Sequence, residues 1–201
     1  MNQFKVIIVG DSSVGKSSIA QRYTTNQFSV LYKPTIGADI LSKLCEVSDQ
    51  KAKLQIWDTA GQESWSTQIG SAYYRGADVA VIVFDLGQNQ TLQNVHKWYL
   101  ELKSQLTSVP PIILVGNKSD RDSEVTEKQI LAVENQIKAK KFMKCSAKTG
   151  ENIDNLFAET AKICLENADK FTEQDEVFVV KTETYVVKQQ IPVQKKTKKC
   201  C

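Results

Sequence analysis

The stretch GDSSVGKS, residues 10–17, has the residue types and spacing of a phosphate-binding loop, G-x4-G-K-[ST]. It follows a short apolar run and precedes a helical pattern, so its backbone N–H groups would converge on an anion at a helix N-terminus. Lys16 would reach the β- and γ-phosphates of a nucleotide, and the Ser17 hydroxyl would bind Mg²⁺. The residues expected around the phosphates are Ser12, Ser13, Val14, Gly15, Lys16, Ser17 and Ser18. An ordinary glycine-containing turn between a strand and a helix is the alternative interpretation.

A second group of residues, WDTAG at positions 57–61, follows a predicted strand. NTPases place a second Mg²⁺-coordinating carboxylate, usually acting through water, at the end of a strand that faces the phosphate loop. Asp58 is the candidate for this carboxylate, although a strand-end aspartate considered alone is more often a helix cap or a turn residue. We expect the Gly61 N–H to approach the γ-phosphate and Gln62 to orient an attacking water.

Two further motifs indicate that the base is guanine. In NKSD, residues 117–120, the Asp120 carboxylate matches the adjacent N1–H and N2–H₂ donors of guanine, both of which adenine lacks. Asn117 can contact the other edge of the base, and the Lys118 stem can lie over its plane. The backbone amides expected to bind the guanine O6 belong to the motif SAK: Ser146, Ala147 and Lys148. Asn and Asp are common in turns, so each motif is weak alone, but their order and strand-end positions make coincidence negligible.

Apolar periodicity predicts the elements that position these motifs. Strands are expected over 4–9, 40–47, 53–58, 78–85, 112–115 and 142–145, and helices over 16–25, 91–106, 126–138 and 152–167. This alternation indicates an α/β fold with a mostly parallel six-stranded sheet and helices on both faces. The strands at 40–47 and 53–58 are close in sequence, so we expect them to form the one antiparallel pair. The alternation stops near Asp169.

The composition is that of a globular protein, with 41% hydrophobic and 24% charged residues among 201. The net charge is +3, but five lysines and no acidic residue follow position 187, so the preceding residues sum to −2. A domain with a net negative charge is poorly suited to binding nucleic acid, so we expect no nucleic-acid partner. No apolar run has the length of a membrane span, and the first residues lack a signal-peptide pattern. We therefore expect a cytosolic protein whose five cysteines stay reduced.

Together, these motifs resemble the guanine-nucleotide-binding motifs of the Ras superfamily of small GTPases, over about residues 4–165. The resemblance implies a P-loop NTPase G domain that binds GTP or GDP with Mg²⁺ and hydrolyses GTP. It implies that Thr35, in KPTIGAD, ligates Mg²⁺ only when the γ-phosphate is present, and that Phe28 packs beside the guanine. We expect the G domain to cover residues 1–168 and a flexible tail to cover residues 169–201.

Four segments are similar to the Rab branch of this superfamily: TIGAD, WDTAGQE, YYRGAD and the terminal Cys-Cys. Rab proteins alternate between a GDP form extracted into the cytosol and a GTP form that recruits effectors on membranes. The resemblance implies four kinds of partner: exchange factors, GTPase-activating proteins, GDP dissociation inhibitor or escort proteins, and effectors. YKPTIGAD together with QIWDTAGQE is similar to the late-endosomal and lysosomal Rabs, which implies a location on the cytoplasmic face of endomembranes. The expected effector surface comprises Ile36, Gly37, Ile40, Trp57, Trp65 and Tyr73.

Several positions depart from the usual Rab pattern. Ser13 replaces the commoner glycine, at a loop position that works mainly through its backbone. Ile40 replaces the phenylalanine of an exposed aromatic triad, of which Trp57 and Tyr73 are the other two members. Ser64 replaces an arginine, and the chain is one residue longer than usual between Gln62 and YYRGA. All but the first of these changes fall on the switch surface, so we expect them to bear on partner specificity rather than on nucleotide binding.

The terminal stretch KKTKKCC, residues 195–201, is expected to anchor the protein to membranes. A disulfide between adjacent cysteines would be strained, and a metal site would need two more ligands than the tail provides. Prenylation of Cys200 and Cys201 is the better interpretation, since two lipid chains anchor stably where one does not. The β-prone segment 176–187 is expected to be a linker or a partner-binding segment, with a folded strand as the alternative. IPV, residues 191–193, resembles the tail motif through which Rabs bind escort proteins.

Two other classes of protein are compatible with a phosphate-binding loop. One is a nucleotide-binding scaffold that does not hydrolyse GTP, which the altered residues after Gln62 make plausible. The other is a P-loop ATPase or a nucleotide kinase, which the guanine-matching Asp120 disfavours.

Overall fold

The protein alternates strands and helices, as described by a computed structural model for residues 2–31, 33–35, 37–47, 49–59 and 69–176. The strands are β1 (Asn2–Val9), β2 (Ala38–Val47), β3 (Gln50–Thr59), β4 (Val79–Asp85), β5 (Ile112–Asn117) and β6 (Lys141–Lys144). The helices are α1 (Lys16–Thr25), α2 (Ile69–Tyr74), α3 (Asn89–Gln93), α4 (Val95–Gln105), α5 (Glu127–Ile137) and α6 (Ile153–Glu176).

The six strands form one sheet in the order β2-β3-β1-β4-β5-β6. β2 and β3 pair antiparallel, with Ile40 opposite Trp57, and the other neighbouring strands pair parallel. The predicted sheet, mostly parallel with one antiparallel strand, is therefore confirmed. The parallel strands bring their carboxyl ends to one edge, where ligands bind in open α/β sheets.

Two apolar cores cover the two faces of the sheet. Successive side chains of a strand point to opposite faces, so Val6 and Ile8 of β1 enter one core while Ile7 and Val9 enter the other. Helices α1 and α6 close the first core, where the rings of Tyr23 and Phe157 stack with centroids 3.9 Å apart. Helices α4 and α5 close the second core. Helices on both faces were predicted, and this is confirmed.

The boundaries of several elements differ from the prediction. The helix predicted over 91–106 is two helices, α3 and α4, which meet at Asn94. The Asn94 side chain donates to Asp11, 83 residues away, a contact that local periodicity does not reveal. The helix α2 has only six residues, which is too short for a 3.6-residue periodicity to indicate. α6 continues to Glu176, beyond the predicted end at Asn167.

The β2–β3 pair is longer than predicted at the turn. Val47 pairs with Gln50, and Asp49 between them has φ +64°, a left-handed conformation that Asp tolerates better than most residues.

In the part of the chain that the structure describes, no helix has both the length and the apolar character needed to span a bilayer.

Candidate nucleotide site

The phosphate-binding loop lies between β1 and α1, and two of its glycines are fixed by close contacts. A Cβ on Gly10 would lie 2.2 Å from the Val83 carbonyl oxygen. A Cβ on Gly15, which has φ +99°, would lie 2.3 Å from Nδ2 of Asn117. The spacing of the motif therefore reflects packing of the loop against β4 and β5. Ser13, at φ +64°, is also left-handed, a conformation that costs a non-glycine residue about 1 kcal/mol or more.

Lys16 is the first residue of α1 and is only 5% exposed. Its ammonium donates to the carbonyl oxygens of Gly10 and Asp11, both at 2.8 Å. Burial lowers the pKa of Lys16 to about 8, although the charges of Asp58 and Asp11 oppose this shift. The ammonium is thus held across the loop, where a nucleotide's phosphates would meet it.

Three oxygen-bearing side chains come together beside Lys16. The hydroxyls of Ser17 and Thr35 are 2.9 Å apart, and Thr35 Oγ1 donates to Asp58 Oδ2 at 3.4 Å. Asp58 is 1% exposed, and among the described residues its Oδ1 has no hydrogen-bond partner. Burial raises the pKa of Asp58, while hydrogen bonds from Ser17 and Thr35 and the charge of Lys16 lower it.

This donor set fits magnesium. Mg²⁺ prefers oxygen ligands and is bound in nucleotide sites by one or two protein groups together with phosphates and waters. A buried carboxylate oxygen without a partner is costly unless a cation or a water satisfies it. Two hydroxyls and a buried carboxylate therefore suit a hydrated divalent cation beside the phosphates.

The guanine-matching carboxylate is held in place by the loop that follows β6. Asp120 Oδ1 accepts from Ser146 Oγ at 2.7 Å, and Lys148 Nζ lies 3.6 Å from Oδ2. The Ser146 hydrogen bond, more than any other cause, lowers the pKa of Asp120. The carboxylate therefore stays an ionised acceptor, as pairing with N–H donors requires. Lys118, at φ +66°, forms an ion pair with the buried Asp85 at 2.7 Å.

Asn117 joins the phosphate loop to the base side of the site. It is 1% exposed, its Nδ2 donates to the Val14 carbonyl at 2.8 Å, and its Oδ1 accepts from the Ala147 N–H at 3.2 Å. The residue predicted to contact the base edge thus also braces the loops on both sides. The predicted contacts of Asn117 and Ala147 with guanine stay predictions.

These loops surround an open cavity of about 1120 Å³, which is large enough for a nucleotide. It is lined by most of the predicted binding residues: Ser12, Ser13, Gly15, Lys16, Ser17, Ser18, Phe28, Thr35, Asp58, Asn117, Lys118, Asp120, Ala147 and Lys148. Val14 and Ser146 are fully buried beneath it. Residues from six separate segments of the sequence therefore meet in one place.

Part of the predicted effector surface is also brought together. Ile40 of β2 is 52% exposed and lies opposite Trp57, whose ring centroid is 6.2 Å from that of Tyr73. A Cβ on Gly37 would lie 3.7 Å from the Tyr73 hydroxyl. The isoleucine is therefore exposed and lies opposite Trp57, whose ring is near that of Tyr73, and the role of these residues in binding effectors stays a prediction.

Other predicted residues lie outside the described part of the chain. They are Ile36, Gly61, Gln62, Ser64, Trp65, Cys200 and Cys201, together with the segment from residue 177 onward. Their assigned roles stay predictions, as does the division into a domain over 1–168 and a tail over 169–201.

Sequence reasoning missed Arg22, which braces the base side of the cavity. Its Nε donates to the Ala147 carbonyl at 2.8 Å and its Nη2 to the Lys148 carbonyl at 2.6 Å. Its guanidinium carbon also lies 5.9 Å from the ring centroid of Phe28. A basic residue in the last turn of a helix is ordinarily explained by the helix dipole, so nothing local pointed to partners 125 residues away.

A model of the Ras family matches residues 5–166. The chain belongs to the Ras family. It is 41% identical to Ras-related protein RABA1c of Arabidopsis thaliana over 157 residues, 78% of this chain and 72% of that protein. It is 42% identical to Ras-related protein Rab7 of Prunus armeniaca over 174 residues, 81% and 82% of the two chains. It is 41% identical to Ypt/Rab-type GTPase ypt7 of Schizosaccharomyces pombe over 172 residues, 82% and 83% of the two chains.

Within the Ras family the protein is a Rab-type small GTPase, and the predicted family, fold and activity are confirmed. As such it binds GTP and GDP, hydrolyses GTP and regulates vesicle traffic. RABA1c, Rab7 and ypt7 match this small GTPase at nearly equal identity, so these matches do not single out one Rab branch.

Proposed function

We propose that this Rab-type GTPase is a magnesium-dependent, lipid-anchored switch that recruits effectors to a late-endosomal or lysosomal membrane when GTP is bound. The observation that carries the proposal is the cluster of Ser17, Thr35 and Asp58 beside Lys16. In this cluster, side chains from α1, from the segment before β2 and from the end of β3 contact one another. A ligand at that point can order or release two segments of the surface together.

In the proposed site, the hydroxyls of Ser17 and Thr35 would hold Mg²⁺ directly, and the Asp58 carboxylate would hold it through water. The ion, when bound, offsets the charge that develops on the transferred phosphoryl group. In this proposal the γ-phosphate and the ion stabilise the position beside Ser17 and Asp58 that the Thr35 hydroxyl has in the structure. Asp58 Oδ1, which lacks a partner among the described residues, is the atom that this arrangement satisfies.

Hydrolysis in this proposal depends on Lys16, Gly61 and Gln62. Lys16 lies along the β- and γ-phosphates, the Gly61 N–H donates to the γ-phosphate, and Gln62 orients the attacking water. The chain has only three arginines, and this proposal assigns none of them to the phosphates. Arg22 braces the loop of Ala147, Arg121 lines the cavity next to Asp120, and Arg75 follows α2. The intrinsic rate is therefore slow, and an activating protein supplies the missing arginine, with a glutamine of its own that lessens the role of Gln62.

The remaining partners follow from the two nucleotide states. An exchange factor replaces GDP with GTP, and effectors bind the surface around Ile40, Trp57 and Tyr73 in the GTP state. GDP dissociation inhibitor or escort proteins bind the GDP state and the tail, and shield the prenyl groups on Cys200 and Cys201. Two lipid chains, together with the lysines from 195 onward, hold the GTP form on an anionic leaflet.

Localisation of three forms of the protein in cells tests this proposal. The intact chain should lie on endomembranes and overlap a late-endosomal or lysosomal marker. A form that lacks Cys200 and Cys201 should be dispersed in the cytosol, because it cannot be prenylated. Ser17→Asn removes a hydroxyl that is proposed to bind Mg²⁺ beside the γ-phosphate. This variant should keep its lipid anchor but lose the localisation to the target membrane that depends on binding effectors.

Two outcomes would contradict the proposal. If all three forms are distributed alike, the membrane-switch mechanism is wrong. If the intact form is membrane-bound but overlaps only with another compartment, the late-endosomal assignment alone is wrong.

The alternative of a scaffold that does not hydrolyse GTP is tested by single-turnover hydrolysis with Mg²⁺. For a switch that hydrolyses GTP, we expect slow but measurable release of phosphate.

A further inference from the structure

The second residue of the phosphate loop is bound from outside the loop. Both carboxylate oxygens of Asp11 accept hydrogen bonds from the N-terminal part of α4. Asn94 Nδ2 donates to Oδ2 and Trp98 Nε1 donates to Oδ1, each at 2.7 Å. These partners lie 83 and 87 residues away along the chain. Such short contacts to an ionised acceptor are charge-assisted hydrogen bonds, which are stronger than neutral ones.

The helix that supplies these donors is fixed in the second core. Val95, Trp98 and Leu102 of α4 are buried against the sheet, and Trp98 is only 4% exposed. Further along the same helix, Glu101 accepts from the Tyr74 hydroxyl at 3.0 Å. α4 is therefore a rigid support rather than a surface element that could follow the loop.

The same residue also holds the phosphate-contacting lysine. The backbone carbonyl of Asp11 accepts from Lys16 Nζ at 2.8 Å, while its side chain is directed to Asn94 and Trp98. A carboxylate in this loop would otherwise be free to pair with the Lys16 ammonium or to repel a phosphate. Binding of both its oxygens by α4 holds the carboxylate on Asn94 and Trp98 and fixes the carbonyl that orients the ammonium.

We propose that Asp11 is a positioning residue for nucleotide binding, and that Asn94 and Trp98 hold its carboxylate on α4 so that Lys16 and the loop amides face the phosphates. This inference rests on the proposed phosphate site. It assigns a role in nucleotide retention to α4, a helix that does not line the cavity. The positioning residue acts through Lys16 and the loop backbone and does not itself contact the nucleotide.

The test is the dissociation rate of a fluorescent GDP analogue, chased with excess GDP, from variants of the full chain. Trp98→Phe removes one indole N–H while keeping an aromatic ring, and Asp11→Asn replaces the carboxylate with an amide of the same shape. Each should release GDP about tenfold faster, the factor expected for losing one charge-assisted hydrogen bond. The double variant should release GDP no faster than the faster single variant, since both changes break the same contact.

Tyr74→Phe is the matched control, because it breaks one hydrogen bond to the same helix at a point remote from the loop. It should release GDP at a rate within about twofold of wild type, as expected for a contact with no link to the site. A second readout reports the contact itself. The indole N–H resonance of Trp98, assigned by its loss in Trp98→Phe, should move upfield in Asp11→Asn because the charged acceptor is gone.

Three results would overturn the inference. One is a wild-type release rate in both Asp11→Asn and Trp98→Phe. Another is equal acceleration by Tyr74→Phe, which would show that α4 acts only through general stability. The third is additive effects in the double variant. A wild-type chain that retains no guanine nucleotide would instead contradict the proposed function itself, so the two failures are distinguishable.

Discussion

Ser13 has a backbone conformation that its residue type disfavours. It stands where the loop turns with φ +64°, a region that favours glycine, and its side chain is exposed at the rim of the cavity. The sequence identified the departure from the usual glycine, but it could not show that the backbone keeps the left-handed conformation with a serine in place. The loop geometry is set by Lys16, Asn117 and the close contact at Gly10, which outweigh the preference of one residue.

We expect Ser13→Gly to raise the free energy of unfolding by about 1 kcal/mol, because the left-handed conformation no longer carries a Cβ penalty. Chemical denaturation of the Mg²⁺-free, nucleotide-free protein measures the difference. Ser13→Ala is the control, since it removes the hydroxyl but keeps the Cβ, and it should give no such gain. Equal stabilisation by both substitutions would show that the hydroxyl, and not the backbone, is the source of the cost.

Short motifs in the sequence identified candidate residues that the structure brings into one cavity. Lys16, Ser17, Asp58 and Asp120 were found because each lies at a fixed spacing within a stretch of four to eight residues at the end of a strand. Asp11 was not singled out, because its partners, at positions 94 and 98, are joined to it only by the fold. The residues that line the cavity were thus predictable from the sequence, and the residues that support them from other elements were not.

At the scale of elements, the alternation of strands and helices followed from apolar patterning. β4 and β5 are buried along their whole length, which is why they appeared as continuous apolar runs. The start of α5 is equally local, since Thr126 and Gln129 form a capping box. The division between α3 and α4 and the extension of α6 to Glu176 were not predicted, because apolar periodicity locates helices better than it locates their ends.

The end of α1 and the loop after β6 act as one unit through Arg22. Arg22→Gln removes the two donors that hold the carbonyls of Ala147 and Lys148, and the base side of the cavity should loosen. We expect GDP release to accelerate by about tenfold, and Arg22→Lys to restore only part of the loss because an ammonium cannot reproduce the guanidinium fork.

The same displacement assay measures these rates. Arg75→Gln, which makes the same change of charge beyond the end of α2, is the control and should release GDP as the wild type does. A wild-type rate for Arg22→Gln would show that the loop keeps its position without the arginine.

In the whole molecule, one edge of the sheet brings together the candidate binding residues from distant parts of the sequence. The carboxyl ends of the parallel strands meet there, so the phosphate loop, Thr35, Asp58, the NKSD motif and the SAK motif line one cavity. The net charge is divided as well, because five lysines and no acidic residue follow position 187 while the preceding part sums to −2. This division is consistent with the proposal that the tail binds an anionic membrane, while the domain binds an anionic nucleotide through localised groups.

Whether this cavity selects a guanine nucleotide is tested by identifying the nucleotide that the purified protein carries. The protein should be purified with Mg²⁺ present, denatured, and the released nucleotide separated by chromatography and quantified against protein. Because the Asp120 carboxylate, whose pKa is lowered by the Ser146 hydrogen bond, is predicted to accept from the N1–H and N2–H₂ donors of guanine, we expect GDP or GTP at close to one per chain. Release of an adenine nucleotide would contradict it.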